Sequence, residues 1–358
     1  MAEGKYVKIG GAIKTITGEY TKIGGAIKQG TINAIEIGGA IKQISVAGRT
    51  IFTGGEPGTL PDQFWAISSG HATQDGWPVD PAGMSDIRDV ACDEDGNSYW
   101  AAGNLVYKVE LDGTVAWSIA HNGVNAIAVD SNGYVYHGDY VGGAGGIIKT
   151  DPDGNHVWTT TFTLPMGSVN SLCVALADNK LYAGMGIGGA GAVYRLHLNS
   201  EIPSLVCSNV SEILSVATVD GSLTVYYGTL AGQYAKYPVG GPETWHVNNA
   251  GSDIQEIRTA HDGYGYCAMG ATGYIRKFLL SSGTAVWSSA PSPALGNATG
   301  VAVDDASHAY GLYHGGGVND RVIRKLNSAG VEQWTWQPQA GAELYGIAVM
   351  PGEKSAGF

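Results

Sequence analysis

From about residue 85 to its end, the chain alternates short apolar runs with clusters of Gly, Asp, Asn and Pro. Runs this short, stopped so regularly by turn formers, predict strands rather than helices. They recur as a set, with a period of roughly 40 to 48 residues. Each set holds a mid-strand tyrosine (Tyr99, Tyr136, Tyr182, Tyr226, Tyr266, Tyr310) in segments such as NSYWAAG, GYVYHGD, NKLYAGM and LTVYYGT. A basic residue and then a tryptophan follow: Lys108 and Trp117, Lys149 and Trp158, Lys236 and Trp245, Lys277 and Trp287, Lys325 and Trp334. The third set departs, with Arg195 at the basic position and Leu205 or Val206 where the tryptophan is expected. Asp112-Gly113, Asp153-Gly154 and Ser282-Gly283 lie between basic residue and tryptophan and predict tight reversals. An apolar run precedes each tyrosine, at 87–92, 126–129, 171–174, 214–217, 257–260 and 300–303. Each set therefore predicts four antiparallel strands, A to D.

A four-stranded sheet cannot cover both of its faces by itself. Sheets packed face to face around an axis cover one another and leave only short edges, which is the β-propeller arrangement. Six sets are complete, and the ends of the chain supply material for another. Residues 344–350 predict a further strand A and 354–358 a strand B, while 49–53 suit strand C and 63–67, with Trp65, suit the tryptophan strand D. The expectation is an all-β, seven-bladed β-propeller over residues 49–358, closed by strands from both termini, with residues 1–48 as a separate arm. Segments such as VDSNGYVYHGDY and IIKTDPDGNHVW resemble the PQQ-like and WD40-like propeller superfamilies, although the Gly-His and Trp-Asp signatures of WD40 repeats are absent. The resemblance implies the fold and leaves function open.

The arm carries a different repeat, with a spacing of 14: IGGAIK at 9–14, 23–28 and 37–42. A Gly-Gly pair between β-prone runs supplies the positive φ of a two-residue hairpin turn. Three hairpins are predicted, formed around Ile9, Gly10, Gly11 and Ile13, then Ile23, Gly24, Gly25 and Ile27, then Ile37, Gly38, Gly39 and Ile41. Hairpins this short are marginal alone, which points to attachment or oligomerisation against a partner surface. The repeat is similar to the short VKVGG-W-K hairpin repeats of bacteriophage tail and other virion proteins, with Ile13, Ile27 and Ile41 where those often carry an aromatic. That resemblance implies a virion protein, made in a host cytoplasm, whose partners are other virion proteins or sister chains.

Composition narrows the functions. With 55 Gly and only 15% charged residues, the chain fits many short strands and tight turns. A net charge of -12 repels a phosphate backbone, so no nucleic-acid partner is expected. No stretch approaches the roughly 20 apolar residues of a membrane-spanning helix, and the segment MAEGKYVKIGG lacks the apolar run of a secretion signal. Cys92, Cys173, Cys207 and Cys267 have no CxxC spacing and are expected as buried thiols. Asp-rich turns at 93–97, 130–133 and 151–154 lack the alternating ligand set of a calcium loop, so they are expected to form turns, and no metal or cofactor is implied.

No catalytic constellation emerges. The recurring basic residues and tryptophans are expected to pack blade on blade, because a feature repeated around a ring serves the ring. Ligand sites belong where the repeats differ, which selects the loops bearing His71 and Trp77, then His137, Asp139 and Tyr140, and His314, Asn319 and Asp320. The functional expectation is a non-enzymatic phage virion protein, tail- or fibre-associated, with the propeller as a binding platform for a host receptor, a glycan or a neighbouring virion protein. A loop-based lyase or hydrolase using His137 or His314, and a non-viral interaction scaffold, are the alternatives.

Overall fold

The computed structural model describes the strands throughout the chain and, between residues 87 and 349, most of the turns that join them. Two compact units separate, Met1–Gln63 with Pro351–Glu353 and Phe64–Met350 with Lys354–Phe358. In the first, the IGGAIK repeats pair as three separate two-stranded antiparallel sheets: Tyr6–Ile9 with Ala12–Thr15, Thr21–Ile23 with Ile27–Gln29, and Ile35–Ile37 with Ala40–Lys42. Ile9 pairs with Ala12 and Ile37 with Ala40, whereas the middle hairpin pairs Ile23 with Ile27. Gly10, Gly11, Gly24, Gly25, Gly38 and Gly39 lie outside the described residues.

The second unit holds six four-stranded antiparallel blades. Their innermost strands A are Ile87–Cys92, Ala126–Val129, Ser168–Ala175, Ile213–Thr218, Ile254–Thr259 and Asn297–Val303, and each packs against the next in chain order. Strands B, C and D follow outward within every blade. The core lies in the seams between blades; in one, Ala126, Tyr136 and Ile147 of blade 2 meet Leu172, Leu181 and Ala192 of blade 3.

The expected seventh blade is not formed, and the count of blades is corrected to six. That blade would have placed 354–358 and 49–53 between 344–350 and 63–67. Instead Phe64–Ser68 pairs directly with Leu344–Val349, with Trp65 opposite Ala348 and Ala66 opposite Ile347, and His71–Thr73 adds a third and last strand. Residues 49–53 and 354–358 lie outside the described residues. This three-stranded sheet borders both the inner strand of blade 6 and that of blade 1. The physical reason for the misplacement is one of columns. In the blades an inner-strand alanine pairs with a strand B tyrosine, as Ala91 with Tyr99, Ala128 with Tyr136 and Ala302 with Tyr310. Trp65 stands in that column, and an aromatic strand carries nothing in itself that distinguishes it from a strand D.

In register, tyrosine, basic residue and tryptophan lie side by side across strands B, C and D: Tyr99–Lys108–Trp117, Tyr136–Lys149–Trp158, Tyr226–Lys236–Trp245, Tyr266–Lys277–Trp287 and Tyr310–Lys325–Trp334. The ammonium groups lie over the tyrosine rings, Lys149 at 5.2 Å and Lys108 at 5.8 Å from the centroids. The layer then reaches the next blade. Trp117 Nε1 donates to the Pro152 carbonyl at 2.9 Å, Lys149 Nζ to Leu198 at 2.8 Å, Trp245 Nε1 to Leu280 at 3.3 Å and Trp287 Nε1 to Ser328 at 3.0 Å. Each acceptor stands three residues after the basic residue of its own blade. Beneath three of the indoles lies a turn glycine with φ of +89°, +72° or +81°, Gly154, Gly283 and Gly330, where a Cβ would stand 3.1, 2.7 and 2.7 Å from the ring. Both the backbone conformation and the close approach require glycine there.

The aspartate turns cap strand B from within the blade. Asp93 accepts the amides of Asp95 and Asn97 and the Tyr99 hydroxyl, the last at 2.9 Å. Asp130 does the same for Asn132, Tyr134 and Tyr136. The carboxylates are thus used up in forming turns.

Candidate functional site

A second set of seam bonds lies nearer the axis. Two residues before each inner-strand partner of the tyrosine, a side-chain oxygen accepts an amide from the next blade: Asp89 from Ile127 at 2.9 Å, Ser171 from Val216 at 3.1 Å, Ser215 from Ile257 at 3.0 Å and Glu256 from Val301 at 2.7 Å. The same column holds Ala126, Gly300 and Gly346, none of which carries an acceptor. The tyrosine-partner column is small, Ala91, Ala128, Cys173, Ala217, Ala302 and Ala348, except for Arg258 in blade 5.

Arg258 forms an ion pair with Glu256 and lies within electrostatic range of Asp89 across the ring. Its side chain keeps 26% exposure and that of Glu256 14%. Burial pushes the Glu256 carboxyl up to about 7 and that of Asp89 to about 6, against the pull of the guanidinium. Burial also opposes the charge on Arg258, but the two carboxylates hold it protonated. Gly300 and Gly346 leave room beside this cluster: a Cβ on Gly300 would stand 3.1 Å from Glu256 Oε2, and one on Gly346 3.3 Å from the Asp89 Cα. A single arginine in a column of small residues, flanked by two carboxyls that burial pushes up towards neutrality, gives the inner strands a charged cluster.

The residues selected from the sequence are not brought together. His137 is wholly buried on strand B of blade 2, with Nε2 3.3 Å from Thr150 Oγ1, its ring tilted over His121 at 4.4 Å and Nδ1 without a partner. Burial, reinforced by His121 and His156, pushes its protonation well below the ordinary histidine range. It is a neutral core group rather than one offered to a ligand. His314 ends strand B of blade 6, half-buried and paired with Arg321. Asp139 and Tyr140 continue the strand of His137, opposite Gly146 and Gly145, and His71 pairs with Ser68. The side chains of Asp139, Tyr140 and His71, and the whole of Trp77, Asn319 and Asp320, lie outside the described residues. Sequence reasoning missed Asp89, Glu256 and Arg258; the signal was a charged stretch, QEIRTA, at a position where other copies carry alanine and valine.

No protein-family model matches the chain, and no curated protein matches it. Among solved structures it is similar to the WD40 beta propeller domain of Doa1, with a TM-score of 0.57 and 14% identity, over 73% of this chain and 85% of that one. At that identity the likeness shows the fold alone. The second unit has a WD40-like β-propeller fold. No helix among the described residues is long and apolar enough to cross a membrane, and no group of three or more His, Cys, Asp or Glu among them could hold a metal ion.

Proposed function

We propose that the chain is a structural protein of a bacteriophage particle, tail- or fibre-associated, in which the hairpin arm docks to the particle or to sister chains and the propeller serves as a non-enzymatic binding platform. The observation that carries this reading is the pairing of three IGGAIK repeats as three separate hairpins in a chain whose second unit is a propeller. Isolated two-stranded sheets are marginal in water and gain stability from a partner surface. Support for the virion setting comes from the similarity of these repeats to the short hairpin repeats of phage tail proteins. The platform would engage a host receptor, a glycan or a neighbouring virion protein. Support for a binding role over a lyase or hydrolase comes from His137, which is sealed in the core and cannot touch a substrate.

The test is removal of residues 1–48. The truncated chain should unfold at the same denaturant concentration as the full chain yet be missing from purified particles or from oligomers. Normal incorporation of the truncated protein would defeat the proposal.

A further inference from the structure

Blade 3 lacks the strand D tryptophan that the other five blades carry and that blades 1, 2, 4 and 5 lay across their downstream seams. Its Tyr182 pairs with Arg195, and Arg195 pairs with Ser204, so serine stands in the indole column. The receiving half of that seam is nevertheless present. Blade 4 turns between Gln233–Pro238 and Trp245–Asn248 through Gly240 and Gly241, and Val239 stands three residues after Lys236, the column of the acceptors Pro152, Leu198, Leu280 and Ser328. Gly240 has φ +83° with no heavy atom within 4 Å of a Cβ built there, and Gly241 meets only Pro238 of its own turn. Where Gly154, Gly283 and Gly330 each lie under an indole, these two lie under nothing.

Polar groups at the same place lack their partners. The Tyr182 hydroxyl is wholly buried and unpaired, as is Asp178 Oδ2, whereas Tyr99, Tyr136 and Tyr310 each donate to the aspartate of their own turn. Among the described residues no group donates to the Val239 carbonyl; its amide donates to Leu223. Two of the exposed large apolar side chains belong to the turns bordering this seam, Ile202 at 72% and Leu223 at 47%, and Val206 of strand D packs partly buried against its core.

We infer that the seam between blades 3 and 4 is a docking slot for an aromatic side chain, best an indole, presented by a partner protein. The indole takes the place that the chain's own tryptophans take elsewhere. Its N–H donates to the Val239 carbonyl, its ring covers Gly240 and Gly241 and lies beside Arg195, and Ile202 and Leu223 receive the apolar residues around it. The inference rests on the reading of the propeller as a platform only in supposing a partner, since the slot is tested without one.

The probe is N-acetyl-tryptophanamide, titrated into the full-length protein and followed by amide NMR, with N-acetyl-alaninamide as control. Saturable shifts centred on Val239, Gly240 and Gly241, seen with the tryptophan probe alone, are expected. Ser204→Trp should abolish them and raise the melting temperature. No saturable shift in the wild-type chain, or shifts unchanged in Ser204→Trp, would overturn the inference. If Ser204→Trp does not fold, transferred NOEs from the indole to Tyr182 and Val239 in the wild-type chain decide: their presence supports the slot and their absence rejects it. Loss of the slot would leave the platform reading standing, because the particle-incorporation test does not depend on it.

Discussion

The outer layer of the seams and the axial layer are built on the same inner-to-outer register, yet they behave in opposite ways. Outside, the tyrosine, basic residue and tryptophan repeat in five of the six blades, and in blades 1, 2, 4 and 5 the tryptophan or lysine donates to a carbonyl at the same place in the next blade's turn. At the axis the corresponding columns change from blade to blade: acid, alanine, serine, serine, acid and glycine in one, and in the other a lone Arg258 among small residues. Repetition marks what holds the ring, and the columns that vary are free of that duty. Blade 3 shows that this rule can be broken in the outer layer too, and the breach is informative because only one side of the seam has changed.

The contrast can be broken experimentally, beginning with the largest effect. Tyr136→Ala removes a wholly buried ring and the 3.0 Å bond to Asp130, and should cost about 3–5 kcal/mol in urea unfolding. A loss below about 1 kcal/mol would show that the repeated layer does not hold the seams. Ser215→Ala orphans the buried Ile257 amide and should cost about 1–3 kcal/mol, since the amide cannot reach water. Ala126 occupies this column naturally, so a near-zero cost would place Ser215 with the tolerant positions. Trp117→Phe keeps the ring but removes the donor to Pro152, for about 0.5–1.5 kcal/mol.

A further test concerns pH and sharpens the axial side of the comparison. The Asp89 and Glu256 carboxyls are raised in the fold from 3.8 to about 6 and from 4.5 to about 7, so folding favours their protonated forms. Their contribution is most favourable in acid and is lost as pH rises from about 4 towards 7. His137 is shifted the opposite way, so its contribution is present above the ordinary histidine value of 6.5 and lost as pH falls below it. Melting temperature against pH should therefore pass through a maximum. Glu256→Gln should flatten the alkaline limb and His137→Phe the acid limb, and a wild-type curve flat between pH 5 and 8 would remove the electrostatic account of the axis.

Much of the fold was legible because the seam layer is periodic. The tyrosine, lysine and tryptophan columns and the glycine turns could be aligned copy on copy, and the pairing Tyr99–Lys108–Trp117 follows that alignment. The closing sheet was misread because Phe64–Ser68 matches a strand D by composition, while its position is decided by a partner, Leu344–Val349, that lies far away in sequence. The axial residues were passed over for a related reason: a single charged residue in an apolar strand announces nothing until the neighbouring copies are known to be alanine. His137 shows the reverse error, a histidine beside a glycine-rich loop whose ring turns inward beneath Thr150.

The outer seam bonds run one way around the ring, from tryptophan or lysine to the following blade. Blades 1, 2, 4 and 5 bring the donors for the junction ahead, and a turn carbonyl receives them behind, so these junctions share one plug and socket. A ring assembled in this way can gain or lose whole units without redesigning any junction. Blade 3, with a socket behind it and no plug in front, could not take the place of blade 1, 2, 4 or 5 without leaving a gap.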